Sequence, residues 1–317
     1  MSYRYAEGTA RAPRQRGVAL ITVMLVFVLA TLMATQMLRT GYLALRRTGN
    51  LIDSTQARYY ALGAEELGRQ LLAEDAKSAP VGQNTDNLKE RWASPKLQFE
   101  FEDGQLELHI EDLAGRFNVN GLVDRSGKAI PREVARFARL LRELDIDPAF
   151  AEAAADWVDA DGSTTRGGGE TSAYGQMVFP NAPMVDPSEM RSLPGLDAAD
   201  WRRLGPFLAA IPTGTRLNVN TAAPEVLLVY AETVVRPADM ERFVLSRDQQ
   251  PIRDAADPRL GTVFGGAASV LDVRSDFFML QVHAQYRGRN SRFETRVRRD
   301  PRKGNTTILG RSDASRI

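Results

Sequence analysis

The sequence predicts an α+β fold: a long N-terminal helix and an antiparallel sheet split by a large helical insert. Three observations carry this. An unbroken apolar run near the N-terminus leads into a helical apolar stripe. Strand-like alternation occurs in two places, 97–110 and 270–297, far apart in the chain. Between them the segments read as short helices, several opening on proline, whose fixed φ suits the first helical turn.

Val18 to Leu38 contain no charged side chain. At about 1.5 Å per residue these twenty-one residues cover the roughly 30 Å hydrocarbon core of a bilayer. A cleaved secretory signal has a shorter apolar region, normally ~7–15 residues. Arg4, Arg11, Arg14 and Arg16 precede the run against one acid, Glu7, which favours a cytoplasmic N-terminus. Arg39, Arg46 and Arg47 follow it, so charge alone leaves the orientation open.

The join between leader and apolar run is more specific. Arg14-Gln15-Arg16-Gly17 followed by Val18-Ala19-Leu20-Ile21-Thr22 resembles a type IV prepilin-like leader. The resemblance implies cleavage after Gly17 by the prepilin peptidase, with Val18 as the new, usually methylated, N-terminus. Most members carry Glu at the fifth mature position, and here that position is Thr22. A carboxylate within the bilayer needs a partner, in pilins the N-terminal amine of a neighbouring subunit. Among pseudopilins its absence marks the K-type member of type II secretion, which sits at the tip with no subunit above it.

That resemblance implies a pilin-like fold interrupted by a helical domain. It implies a non-enzymatic minor pseudopilin that joins the I- and J-type minor pseudopilins, the other pseudopilins and the inner-membrane platform. Such a subunit initiates the pseudopilus that exports folded proteins across the outer membrane. It would be single-pass in the inner membrane, with its C-terminal domain periplasmic.

Past the membrane, Leu38, Leu45, Ile52 and Tyr59 recur every seven residues, a stripe expected to face the core in its later half. Pro80 to Asn87 reads as a polar loop, and Leu97 to Ile110 as a hairpin turning at Asp103-Gly104 in a type I′ turn. Helices are expected over Pro131–Leu144, Pro148–Val158, Asp186–Leu193, Asp197–Leu208, Ala223–Ala231 and Pro237–Arg247. Strands return over Val270–Tyr286 and Phe293–Val297, with the turn in Arg287–Arg292. The divisions are thus a leader 1–17, span 18–38, helix continuation and hairpin 39–113, insert 114–265, strands 266–299 and a disordered basic tail 300–317. Arg116-Phe-Asn-Val-Asn-Gly-Leu122 is echoed by Arg216-Leu-Asn-Val-Asn-Thr-Ala222, so the insert reads as two related halves. Asn in these places can cap a helix or hold a turn.

The net charge of +1 conceals local asymmetry. Asp145 to Asp200 hold eleven acids against two arginines, while Arg287 to Ile317 hold ten bases against three acids. Within the acidic region, Asp156-Trp157-Val158-Asp159-Ala160-Asp161-Gly162 opens a glycine-rich loop that continues to Glu170 and Tyr174. Clustered carboxylates repel unless solvated, protonated or bridged by a cation, and hard oxygen donors on a flexible loop suit Ca²⁺. Counting from Asp159 places Asp161, Ser163 and Glu170 at EF-hand spacing, but Thr164 stands where that loop requires glycine. K-type pseudopilins carry an Asp-Trp-x-Asp-x-Asp motif, then Gly-Ala-Glu-Asp and Tyr, and bind calcium there. Asp156, Asp159, Asp161 and Glu170 match its ligands, while Thr171 replaces the second acid. The resemblance implies one structural calcium and leaves a second open.

The absence of cysteine excludes thiol catalysis, thiolate-held metals and disulfides. His109 and His283 alternate within strands and neighbour no nucleophile, so an enzyme is disfavoured. Ser192-Leu-Pro-Gly-Leu196 resembles a helix-hairpin-helix turn, which keeps a nucleic-acid-binding tip subunit of a type IV or DNA-uptake pilus as the alternative. Its acidic surroundings repel a polyanion.

Overall fold

The computed structural model describes residues 16–78, 84–95, 97–160, 180–231, 235–301 and 303–313. Helix α1 runs unbroken from Arg16 to Ser78. Its residues up to Gln56 form one unit, and Ala57–Ile317 form a second.

In the second unit, β1 (Leu97–Phe101) and β2 (Gly104–Asp112) form the expected hairpin. Phe101 pairs with Gly104, so the turn residues are Glu102-Asp103 and not Asp103-Gly104. Only Asp103 of that pair has positive φ (65°), which excludes the type I′ turn expected from the sequence.

The chain then leaves the sheet. A 3₁₀ turn leads into β3 (Phe117–Asn118), α2 (Pro131–Glu143) and α3 (Phe150–Val158). After the segment outside the described residues come α4 (Ala198–Leu204), β4 (Leu208–Ala209), β5 (Leu217–Asn218), α5 (Pro224–Tyr230) and α6 (Pro237–Gln249). A helix with no counterpart in the sequence reading, α7 (Pro258–Phe264), precedes β6 (Leu271–Asp272). The helix expected at Asp186–Leu193 is a 3₁₀ turn, Pro187–Ser192. The strand expected over Val270–Tyr286 is two strands, β6 and β7 (Phe277–Tyr286). β8 (Arg289–Arg299) follows a turn at Arg287-Gly288, two residues rather than six.

The tail expected to be disordered supplies a fifth strand, β9 (Thr306–Asp313), giving an antiparallel order β1-β2-β7-β8-β9. Its polar composition hides the reason. Glu65 of α1 is buried, and the Arg311 guanidinium clamps its carboxylate through Nε and Nη2 at 2.8 and 2.7 Å. Bidentate pairs of this kind are strong and directional. Thr295 Oγ1 donates to the same carboxylate at 2.6 Å, and Arg69 Nε donates to Thr306 Oγ1 at 2.9 Å. The strand is therefore held to α1 by charge rather than by apolar alternation.

The apolar face of the sheet packs on α1, and the contact is also not the one expected. Leu38, Leu45, Ile52 and Tyr59 are all exposed. The buried face of α1 is Ala57, Ala61, Ala64, Leu71 and Leu72, small residues first, and the last four pack with Leu108, Leu280, Val282 and Phe293. A separate core fills the insert, with Phe117 stacked on Phe137 at 5.0 Å.

The insert is built of two halves that repeat one device. β3 pairs in parallel with β4, and β5 with β6. Asn118 Oδ1 accepts from Asn120 N, and Asn218 Oδ1 from Asn220 N, at 3.1 and 3.0 Å. The second asparagine of each pair then grips a distant backbone with both ends of its amide. Asn120 exchanges bonds with Met184 (2.9 and 2.8 Å), and Asn220 with Ile252 (2.8 and 2.9 Å). The structural role expected for these asparagines is what the structure has.

Candidate metal loop and assembly helix

α3 positions the first acidic residues of the loop. Ala151, Ala154, Ala155 and Trp157 bury its face in the insert core, and Trp157 is an anchor there, as expected. Asp156 lies in the last turn at 0 % exposure, and Asp159 caps the C-terminus at 3 %. Carboxylates at a helix C-terminus meet the negative end of its dipole. Two of them buried together there form a donor set that suits a hard cation with oxygen ligands. Asp161 and Glu170 lie outside the described residues, as do Gly169 and Tyr174. One backbone contact fixes where the loop departs: Ala160 N donates to Gly127 O at 3.0 Å.

In the apolar part of α1, Val18 to Leu38, the large side chains are exposed. Among the described residues this is the one helix long and apolar enough to cross a membrane. Gly17 lies in its first turn, while the leader before Arg16 is outside the described residues. Thr22 Oγ1 donates to Val18 O at 2.8 Å and Ala19 O at 3.0 Å. The Thr22 hydroxyl is thus spent within its own helix, where a threonine can satisfy itself and a carboxylate cannot.

The helix-hairpin-helix-like turn is also accounted for. Asp197 caps α4, accepting from Ala199 N at 2.7 Å and Asp200 N at 2.8 Å. Those two amides hold its carboxyl below the usual range. The amides that would meet a phosphate are taken by an anion of the chain itself.

Sequence reasoning missed a polar cluster where the insert joins the sheet. Asp112 Oδ2 at the end of β2 accepts from Ser275 Oγ (2.6 Å), Thr221 Oγ1 (2.6 Å) and Asn218 Nδ2 (2.9 Å). Asp86 Oδ2 accepts from Ser275 N at 2.7 Å, and Asp86 Oδ1 pairs with the Arg299 guanidinium. Pro80–Asn87 reads as a polar loop, yet Asp86 is fully buried within this cluster. These bonds join residues 106 to 213 positions apart, so local pattern carries no signal for the cluster.

The comparisons with known proteins agree with this architecture. The family model for type II secretion system protein K matches residues 115–213, the first half of the insert together with the acidic loop. Type II secretion system protein K of Pseudomonas aeruginosa is 36 % identical over 282 residues, 82 % of each chain. That of Aeromonas hydrophila is 32 % identical over 310 residues, 89 % of this chain and 92 % of the relative. Among solved structures, a chain in the crystal structure of the GspK-GspI-GspJ complex from enterotoxigenic Escherichia coli superposes with a TM-score of 0.71. It is 25 % identical, and the match covers 84 % of this chain and 99 % of that one. With this identity spread over most of its length, and with the same long helix, sheet and helical insert, the chain belongs to the type II secretion system protein K family.

Proposed function

We propose that this chain is the minor pseudopilin at the tip of the type II secretion pseudopilus, where it joins the I- and J-type subunits and starts assembly. The observation that carries the reading is Thr22, bonded into its own helix on an otherwise uncharged span. A subunit with Glu there needs an amine from a neighbour above it, and this one does not. The exposed residues Tyr42, Leu45, Leu51 and Ile52 continue the apolar surface of α1 beyond Arg39 and offer partner helices a contact. On this reading the peptidase cuts after Gly17, Val18 becomes the N-terminus, and the insert stands in the periplasm.

Calcium would be held by Asp156, Asp159, Asp161 and Glu170 and would order the loop rather than take part in chemistry. It supplies positive charge to carboxylates gathered at the end of α3. Proposing a nucleic-acid-binding role instead would require the α4 amides, which Asp197 already occupies.

The test is the intact mass of membrane-extracted protein, made with and without prepilin peptidase. Loss of residues 1–17 only with the peptidase is expected, with or without a methyl on Val18. A full-length mass in both, or a cut near Ala34, would overturn it. Co-extraction with I- and J-type subunits then separates type II secretion from a type IV pilus.

A further inference from the structure

The root of the helical insert buries more negative than positive charge. Carboxylate oxygens of Asp75, Asp86 and Glu90 lie within 4.8 Å of one another. The ion pairs of Asp75 and Asp86 both run to one guanidinium, that of Arg299, which is 1 % exposed. Asp112 adds a further carboxylate to the same cluster, and Asp276 faces Arg299 from ahead of β7. Asp86 is fully buried and Asp75 and Glu90 are half-buried, and carboxylates this close resist ionising together beside a single guanidinium.

The hydrogen bonds indicate which group keeps a proton. Asp86 is met by Arg299 and by the Ser275 amide. Asp112 takes four donors, the Ala114 amide among them at 2.8 Å, which offset in part the upward push of burial on its carboxyl. Glu90 meets only neutral donors, Asn87 Nδ2 at 2.5 Å and Trp92 Nε1 at 2.6 Å, and has two carboxylates beside it. Burial, then the charges of Asp75 and Asp86, push Glu90 up to about 8. Burial likewise lifts Asp86 to about 7, against the pull of Arg299.

The cluster also sits where mechanical consequence is greatest. It ties the last turn of α1 (Asp75), the 84–90 segment, the last residue of β8 (Arg299) and Ser275. Ser275 is where the insert returns to the sheet, and it bonds Asp112, where the insert leaves. We propose that Asp75, Asp86 and Glu90 around Arg299 form a proton-operated clasp, closed while the three carboxyls share a proton and loosened when alkaline medium removes it. The sign follows from the raised values. The folded state holds protons that the unfolded chain releases near the ordinary carboxylate range, so stability falls as pH rises from there through about 7 to 8.

The experiment is thermal melting of the full-length, detergent-extracted protein from about pH 6 to about pH 9, run both in excess calcium and in EDTA. A fall in Tm of about 5 °C or more is expected in both media. Glu90→Gln, which keeps the size of the protonated acid, should flatten the profile and melt above wild type at the alkaline end. Infrared spectra should show protonated carboxyl absorption at neutral pH that Glu90→Gln weakens, leaving the share due to Asp86. A flat wild-type profile, or the same slope in Glu90→Gln, would overturn the clasp. So would a fall seen in EDTA but abolished by calcium in wild type and not in Glu90→Gln, because the cluster would then be answering to a cation. The infrared band decides the matter if Glu90→Gln does not fold.

Discussion

In the first half of the insert Asn120 closes a 64-residue excursion on Met184, and in the second Asn220 closes a 32-residue one on Ile252. The same two amide bonds finish both. The leading asparagines differ. Asn118 Nδ2 donates to the carbonyl of Pro212 at 3.2 Å, within the insert. Asn218 Nδ2 donates to the Asp112 carboxylate, to Ser275 Oγ and to Asp86 O at 2.9, 2.9 and 3.0 Å, and so roots the insert in the sheet. The excursion of the first half also carries the acidic loop. One local device thus stands in two different settings, beside the acidic loop in the first half and against a buried carboxylate cluster in the second.

The strongest way to break this comparison is to delete the two leading amides. Asn218→Ala leaves the buried Asp112 short of a donor and removes the cap on Asn220 N, and it should cost about 3–4 kcal/mol. Asn118→Ala loses bonds to Asn120 N, Ile211 N and Pro212 O at a site that is 9 % exposed. Its cost should be about 1–2 kcal/mol. Urea unfolding of the detergent-extracted chain measures both. Equal costs would mean that the carboxylate cluster adds nothing to the second half.

Removal of the proposed calcium should be the next largest effect. An ion bound at a hundred times its Kd stabilises by about 2.7 kcal/mol, so chelation should lower Tm clearly. Asp159→Ala should abolish that response, while Glu90→Gln, far from the loop in sequence and in its bonds, should retain it. The sharper form uses the paired asparagines. Asn120→Ala and Asn220→Ala each lose two bonds, about 2 kcal/mol in calcium. In chelator the cost of Asn120→Ala should shrink, since Met184 lies just beyond the loop, and that of Asn220→Ala should stay.

These contrasts also show what could be read in advance. The long apolar helix, the hairpin, the insert and the asparagine repeat were legible because each is a local pattern: composition, alternation, proline at a helix start, a seven-residue echo. The buried Asp156 and Asp159 were legible as an acidic motif. β9 was not, because Glu65, 246 residues away, is what makes Arg311 a structural residue. The buried face of α1 was misread for a related reason: the sheet packs on Ala61 and Ala64, whose small size leaves a weak apolar signal. The stripe that did read strongly, Leu45, Ile52 and Tyr59, is the exposed one. The cluster of Asp86, Asp112, Ser275 and Arg299 had no local sign at all, since every one of its bonds is made by the fold.

The smallest effect separates loop geometry from backbone cost. Gly127 has φ of +82°, and a Cβ there would lie 2.4 Å from Ala160 Cβ, between the acidic residues Asp159 and Asp161. Gly214, in the connection ahead of β5, has a similar φ of +79°, but a Cβ there would find nothing nearer than Arg125 at 3.8 Å. Gly214→Ala should therefore cost only the left-handed backbone, about 1 kcal/mol, and leave calcium affinity unchanged. Gly127→Ala incurs the same cost and must also move Ala160 away from Gly127 O. That displaces one or both flanking carboxylates, so calcium affinity should drop about tenfold, the equivalent of about 1.4 kcal/mol. Titration calorimetry on both variants measures the difference. If Gly127→Ala binds calcium as wild type does, the Gly127–Ala160 contact does not set the loop, and the ligands must be placed from its far end, beyond Glu170.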